Sequence, residues 1–150
     1  MSEILQTIAA YAGIALGSYT ALMIGAQLIG SLASEKIKSQ EHLDKIVEEE
    51  AKKLDMDPSL VVGIFYSSDD KRILGARCYE EDFDFEEHTI PMKVVEIQQG
   101  WDASRGTVKH ELYHLKKHFP LPENKALRFL RAFFYEEPTA TLYSITGVEL

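Results

Sequence analysis

Five consecutive residues, His110-Glu111-Leu112-Tyr113-His114, form an H-E-x-x-H pattern within a stretch of helical patterning. Four residues apart on a helix, two imidazoles project from one face and can share one Zn2+. The carboxylate beside the first can hold a water against that metal. A catalytic zinc takes three protein ligands and keeps a fourth position for water. The pattern supplies two, so a third must come from elsewhere, and Glu136 and Glu137 lie some 22 residues beyond His114. His118 continues the four-residue spacing but drifts round the helix, and neither His42 nor His88 has a ligand partner visible in sequence.

The elements that must position these groups follow from periodicity. Val108, Leu112 and Leu115 give the motif helix an apolar side. It is expected over residues 104–118, with Asp102 or Ser104 as N-cap and Phe119-Pro120-Leu121-Pro122 as its stop. A further helical stretch carries Leu127, Leu130, Phe133 and Phe134 to Glu136-Glu137. There Pro138 is expected to kink or restart it ahead of a short closing helix. Upstream, Leu43, Ile46, Val47, Ala51 and Leu54 make one stripe of an amphipathic helix within residues 35–54.

Two β-branched and aromatic runs, 60–66 and 73–79, read as strands joined by a hairpin. Another strand is expected over 89–97, with Pro91 suited to an edge. Between them Glu80, Glu81, Asp82, Asp84, Glu86 and Glu87 surround Phe83 and Phe85. Their spacing does not match a calcium loop, so the run reads as a solvated connection with both phenylalanines turned inward.

This order of strand, edge strand, H-E-x-x-H helix, loop and glutamate-bearing helix resembles the gluzincin metallopeptidases, and the small domain is similar to their minimal members. Glu137-Pro138-Thr139-Ala140 matches the glutamate and alanine of the Glu-x-x-Ala pattern that carries the third ligand in many of them. The resemblance covers roughly residues 73–150. It implies zinc held by His110, His114 and Glu137, with Glu111 as the general base that takes a proton from the attacking water and passes it to the leaving amine. It also implies a polypeptide substrate extended along the strand around 92–97, and an oxyanion donor for which Tyr143 and Tyr135 are the candidates. Two positions depart from the pattern. Thr141 stands where an aspartate often supports a ligand histidine, and Pro138 follows the ligand directly, which keeps Glu136 as a rival. The branch with a third histidine, H-E-x-x-H-x-x-G-x-x-H, is not matched, because Lys117 and Pro120 occupy its last two fixed positions.

At the other end, residues 4–33 carry no charge, whereas about 20 apolar residues suffice to cross a bilayer. The start Met1-Ser2-Glu3 lacks the basic residues of a signal peptide, and the run exceeds the apolar core of about 7–15 residues such peptides carry. A transmembrane anchor is therefore expected over 1–34, an amphipathic linker helix over 35–58 and a zincin-like domain over 59–150. Lys36 and Lys38 follow the apolar run and no cation precedes it, which places the bulk of the chain in the cytoplasm. Gly13, Gly17, Ala21 and Gly25 share a face that would allow two anchors to self-associate. A net charge of -8 without a basic stripe argues against a nucleic-acid partner. The lone cysteine, Cys78, is expected as a small core residue.

Taken together, the residues lead to the expectation of an α+β protein with an N-terminal transmembrane helix and a short mixed or antiparallel sheet, acting as a membrane-anchored zinc endopeptidase. The rivals are a metal-binding membrane scaffold of the same fold without catalysis, and an interaction module without metal on a membrane helix.

Overall fold

The stripe of Leu43, Ile46, Val47 and Ala51 becomes the buried side of a helix, α2 (Gln40–Lys53), and Leu54 just beyond it is also buried. Ser39 starts that helix by accepting a hydrogen bond from the His42 amide. The computed structural model describes residues 2–70, 75–85, 88–100, 102–117 and 124–149. Ahead of α2 runs a 32-residue helix, α1 (Ser2–Ala33). After it come three strands, β1 (Val61–Tyr66), β2 (Ala76–Phe85) and β3 (His88–Gln98). The chain closes with α3 (Arg105–Lys117), α4 (Lys125–Arg131), a π-helical turn (Ala132–Glu136) and α5 (Glu137–Thr146).

The sheet is mixed, in the order β1-β3-β2, with β1 parallel and β2 antiparallel to β3. Two expectations are corrected here. The first two strands do not form a hairpin, because β3 inserts between them. The strand around 92–97 is accordingly the central one, and the edges are β1 and β2. Pro91 remains tolerable because it pairs with Asp82 at a level that β1, whose first partner is Lys93, does not reach. The acidic run is corrected as well. Glu80 to Phe85 belong to β2, and Phe83 is exposed. Acidic side chains from Glu80 onward blunt that end of the β2 edge, whereas Ala76 to Tyr79 carry no acidic group.

The face of the sheet that bears Val95 and Ile97 packs on α2 and α3. Gly63 of β1 lies under α2 so closely that a Cβ there would sit 2.9 Å from Leu43 Cγ and 3.2 Å from Val47 Cγ2. The outer edge of β1 is plugged by Gln40, whose amide donates to the Gly63 carbonyl and accepts from the Phe65 N–H, each at 2.8 Å. Arg105, the first residue of α3, ties the helices together through Glu35, Glu49 and Glu50 at 2.9, 2.8 and 2.6 Å.

On the opposite face Glu96 is buried and accepts from the hydroxyls of Tyr66 and Tyr79 at 2.9 and 3.1 Å, and it also pairs with Arg77. Burial alone would raise its pKa, but the hydrogen bonds from Arg77, Tyr66 and Tyr79 outweigh it and hold the carboxyl below its ordinary value. A carboxyl depressed in the folded state stabilises above its unfolded-state pKa, and that stability is lost as pH falls through the folded-state value. Glu96→Gln is expected to lower unfolding stability by about 1.5–3 kcal/mol near neutral pH. Denaturant titrations across a pH series should show the gap to wild type narrowing below about pH 4.

One helix, over Ala10–Ala33, is long and apolar enough to cross a membrane. Leu22, Ile24, Ile29 and Leu32 stay exposed even where the other side of α1 meets the rest of the protein. A Cβ added at Gly13, Gly17 or Gly25 would meet nothing within 4 Å among the described residues. Lys36, one of the two lysines behind the expected orientation, folds back to donate to the Ser31 carbonyl at 2.9 Å.

Candidate metal centre

The start of α3 is fixed by three contacts. Ser104 caps it by accepting from the Thr107 N–H at 3.3 Å, and Arg105 holds the acidic residues of α2. At Gly106 a Cβ would lie 2.7 Å from Ser34 Oγ and 3.3 Å from the Gly30 carbonyl, so glycine lets α3 approach the end of α1. From this start Val108, Leu112 and Leu115 are buried in the core, as their spacing predicts. Tyr113 is buried too, stacked on Tyr143 of α5 at 5.1 Å. That stack brings α5 alongside the H-E-x-x-H residues.

Glu137 arrives by a less regular route. The π turn ahead of it widens the helix, and the Glu137 N–H reaches back five residues to the Ala132 carbonyl. The next π bond would run from residue 138 to the Phe133 carbonyl, but Pro138 has no N–H. The hydroxyl of Tyr19 on α1 supplies the missing donor at 3.0 Å. The helix restarts here, as the position of Pro138 suggested: the π turn ends at Glu136 and α5 begins with Pro138 in its first turn. α5 continues from Glu137, with the Thr139 hydroxyl donating back to the Tyr135 and Glu136 carbonyls at 2.8 and 3.0 Å. Tyr19→Phe should leave the Phe133 carbonyl unpaired at a cost of about 1–3 kcal/mol, read as a lower thermal midpoint of the full chain in lipid or detergent.

These elements bring His110, His114 and Glu137 together. The two Nε2 atoms lie 3.1 Å apart, and the Glu137 carboxylate sets one oxygen 3.3 Å from His110 Nε2 and the other 3.5 Å from His114 Nε2. Two imidazole nitrogens this close repel through their lone pairs unless a proton or a cation lies between them. A tetrahedral cation with bonds of about 2.0–2.1 Å holds its donors about 3.3–3.4 Å apart; the separations here, 3.1, 3.3 and 3.5 Å with the last two to different carboxylate oxygens, bracket that value. The three residues form a group that could hold a metal ion. Burial, then the neighbouring His110, lowers the His114 pKa, which keeps its lone pair free at neutral pH. The hydrogen bond from His110 outweighs burial at Glu137 and holds that carboxyl in its ionised form.

Glu111 projects beside this group and is largely buried, which raises its pKa. Cys78 of β2 hydrogen-bonds it, and burial together with that carboxylate pushes the thiol well above its ordinary value, so the thiol stays protonated. His110 and Glu111 also line a cavity of about 180 Å³ whose other walls include Thr107, Ala76 of β2, Ser144 of α5, and Gln27 and Ser31 of α1. Such a space admits one side chain and not a folded segment.

No protein-family model, no curated protein and no solved structure matches this chain.

Glu136, the rival ligand, pairs instead with Arg131 at 3.1 Å. Tyr143 is buried against Tyr113, and Tyr135 is exposed. His42 meets Glu35 at 3.0 Å, His88 opens β3, and His118 lies outside the described residues. Thr141 accepts a hydrogen bond from Gln27 Nε2 at 3.3 Å. Sequence reasoning did not single out Tyr19, Gln27, Ser31 or the contact between Cys78 and Glu111. A signal was present for the first three: spacings of eight and four residues put them on one face of α1, as polar exceptions in an apolar run.

Proposed function

We propose that this chain is a membrane-anchored, zinc-dependent endopeptidase of gluzincin type, with a zincin-like domain facing the cytoplasm. The observation that carries the reading is the triangle of His110, His114 and Glu137, whose donor spacings suit a tetrahedral ion, with Glu111 next to the first of them and lining the same cavity as His110. Zinc bound there would lower the pKa of a water towards about 7 and polarise the scissile carbonyl. Glu111 accepts the proton of the attacking water on its carboxylate and delivers it to the nitrogen of the leaving amine. Its burial suits the first half of that cycle, because a carboxylate whose pKa is raised is a stronger base towards the attacking water. The Cys78 thiol, a hydrogen-bond partner of that carboxylate, would help to hold its orientation.

The strand along which an extended substrate would pair is β2. Gln40 plugs the outer edge of β1 and β3 is enclosed, whereas β2 is the edge that approaches α3 and carries Ala76 and Cys78 to the site. The experiment that tests the function is hydrolysis of an unstructured polypeptide by the full chain in lipid vesicles. Cleavage should stop with a zinc chelator and return with added zinc; zinc bound at one equivalent without cleavage overturns it. That outcome would favour the second reading, a metal-binding scaffold without catalysis. This reading has its own supporting observation: Tyr143, one of the two expected oxyanion donors, is buried in the core.

A further inference from the structure

Part of the surface of α4, the π turn and α5 is apolar and exposed: Leu127, Phe129, Leu130, Phe134, Leu142 and Ile145. This segment runs parallel to α1. Phe133 and Phe134 meet Tyr19 with ring centroids at 5.1 and 5.3 Å, Thr141 meets Gln27, and Ile145 lies over Gly30. Its depth follows from the length of α1. A span takes about 20 residues of the 32 in α1, so possible spans run from residues 2–21 to residues 14–33. Every one of them contains Tyr19. Wherever α1 is placed across a bilayer, the side chains packed on Tyr19 are at membrane depth.

We propose that the segment from Lys125 to Thr146 lies in the membrane beside α1, which holds the His110, His114 and Glu137 centre at or below the lipid headgroups and restricts its substrates to polypeptide segments in, or emerging from, the bilayer. This rests on α1 spanning the membrane and on the peptidase reading above. Glu137 is four residues past Phe133, about 6 Å along the helix. In the shallowest placement Tyr19 is about 3 Å inside the hydrocarbon edge, which leaves Glu137 about 3 Å outside it, in the headgroup layer. In the deepest placement Glu137 is about 15 Å beneath that edge.

Charge agrees with a lipid occupant. In a chain of net charge -8, no acidic residue lies between Asn124 and Tyr135, and that stretch carries Lys125, Arg128 and Arg131. Lys125, eight residues before Phe133, is level with about residue 11 of α1, so where the span starts near Ala10 its exposed cation reaches the headgroups of the far leaflet. Arg131 is neutralised by Glu136. Gln27 and Ser31 of α1 wall the cavity at Glu111, so the anchor forms part of the site.

The test uses the full chain with Cys78→Ser, reconstituted in vesicles of phosphatidylcholine and phosphatidylglycerol. Single cysteines at Leu130→Cys and Phe134→Cys are compared with Leu22→Cys on α1 and Glu81→Cys on β2, each reacted with a charged, membrane-impermeant maleimide. Reaction at 130 and 134 at least about tenfold slower than at 81, and matching 22, is the expected result, since a charged reagent enters the apolar layer poorly. Reaction at 130 and 134 as fast as at 81, with 22 protected, overturns the proposal alone; fast reaction at 22 overturns it together with the anchor. Labelling does not depend on catalysis, so a failed peptidase reading shows up separately, as protected cysteines without cleavage of any substrate. With the wild-type chain, a co-reconstituted polypeptide with one transmembrane segment should be cleaved at least about tenfold faster than the same cleavable sequence as a free peptide. Equal rates would contradict the substrate class.

Discussion

Glu111→Gln is expected to keep its zinc and to lose hydrolysis by about a hundred- to ten-thousand-fold, the range of a general base. Glutamine preserves the size of the side chain and can still accept from the Cys78 thiol through its amide oxygen, so fold and metal affinity should hold. What disappears is the proton shuttle between water and amine nitrogen. Zinc content and the rate of cleavage of an unstructured polypeptide, measured on the same preparation, check both halves. A variant that keeps more than about a tenth of the wild-type rate would remove Glu111 from the role. A variant that loses zinc as well would show that the carboxylate supports the metal and not the proton.

The second large effect concerns Glu137. Glu137→Ala should weaken zinc binding by at least about a hundredfold, more than the roughly 10- to 100-fold that loss of an outer partner of a ligand costs. Glu136→Ala should leave affinity near wild type, because Glu136 turns to Arg131 while Glu137 faces both imidazoles. Competition against a chelator of known zinc affinity reads both variants directly. The reverse order, with Glu136→Ala the damaging change, would mean that the helix turns by about 100° per residue from the arrangement described, since consecutive helical residues face different sides.

Much of the centre was legible because it is local. H-E-x-x-H needs only a helix, and Val108, Leu112 and Leu115 announce one by their spacing. Glu137 was legible as the third ligand through its match to the Glu-x-x-Ala pattern, but Glu136 stayed a rival. The choice depends on a π turn whose register is set by Pro138 and by a hydroxyl from α1, more than a hundred residues away in sequence. Strand positions were readable from β-branched runs, but their order was not. A pattern of Leu60 to Tyr66 followed by Ile73 to Tyr79 serves a hairpin as well as two strands separated by a third. The strand nature of Glu80 to Phe85 was masked by its charge, since an acidic edge strand and a solvated loop have the same composition. In α1 the uniformly apolar surface hid the face of Tyr19, Gln27 and Ser31 that meets the site, because one polar residue every two turns hardly changes a hydropathy average.

The proposed activity requires one metal held by His110, His114 and Glu137. Zinc K-edge X-ray absorption on the purified full chain, with metal content determined in parallel, measures this most directly. The prediction is one zinc per chain in a shell of two imidazole nitrogens and carboxylate oxygen at about 2.0–2.2 Å, with the imidazole signature halved in His114→Ala. A protein that binds no zinc, or a zinc shell without imidazole, would contradict it.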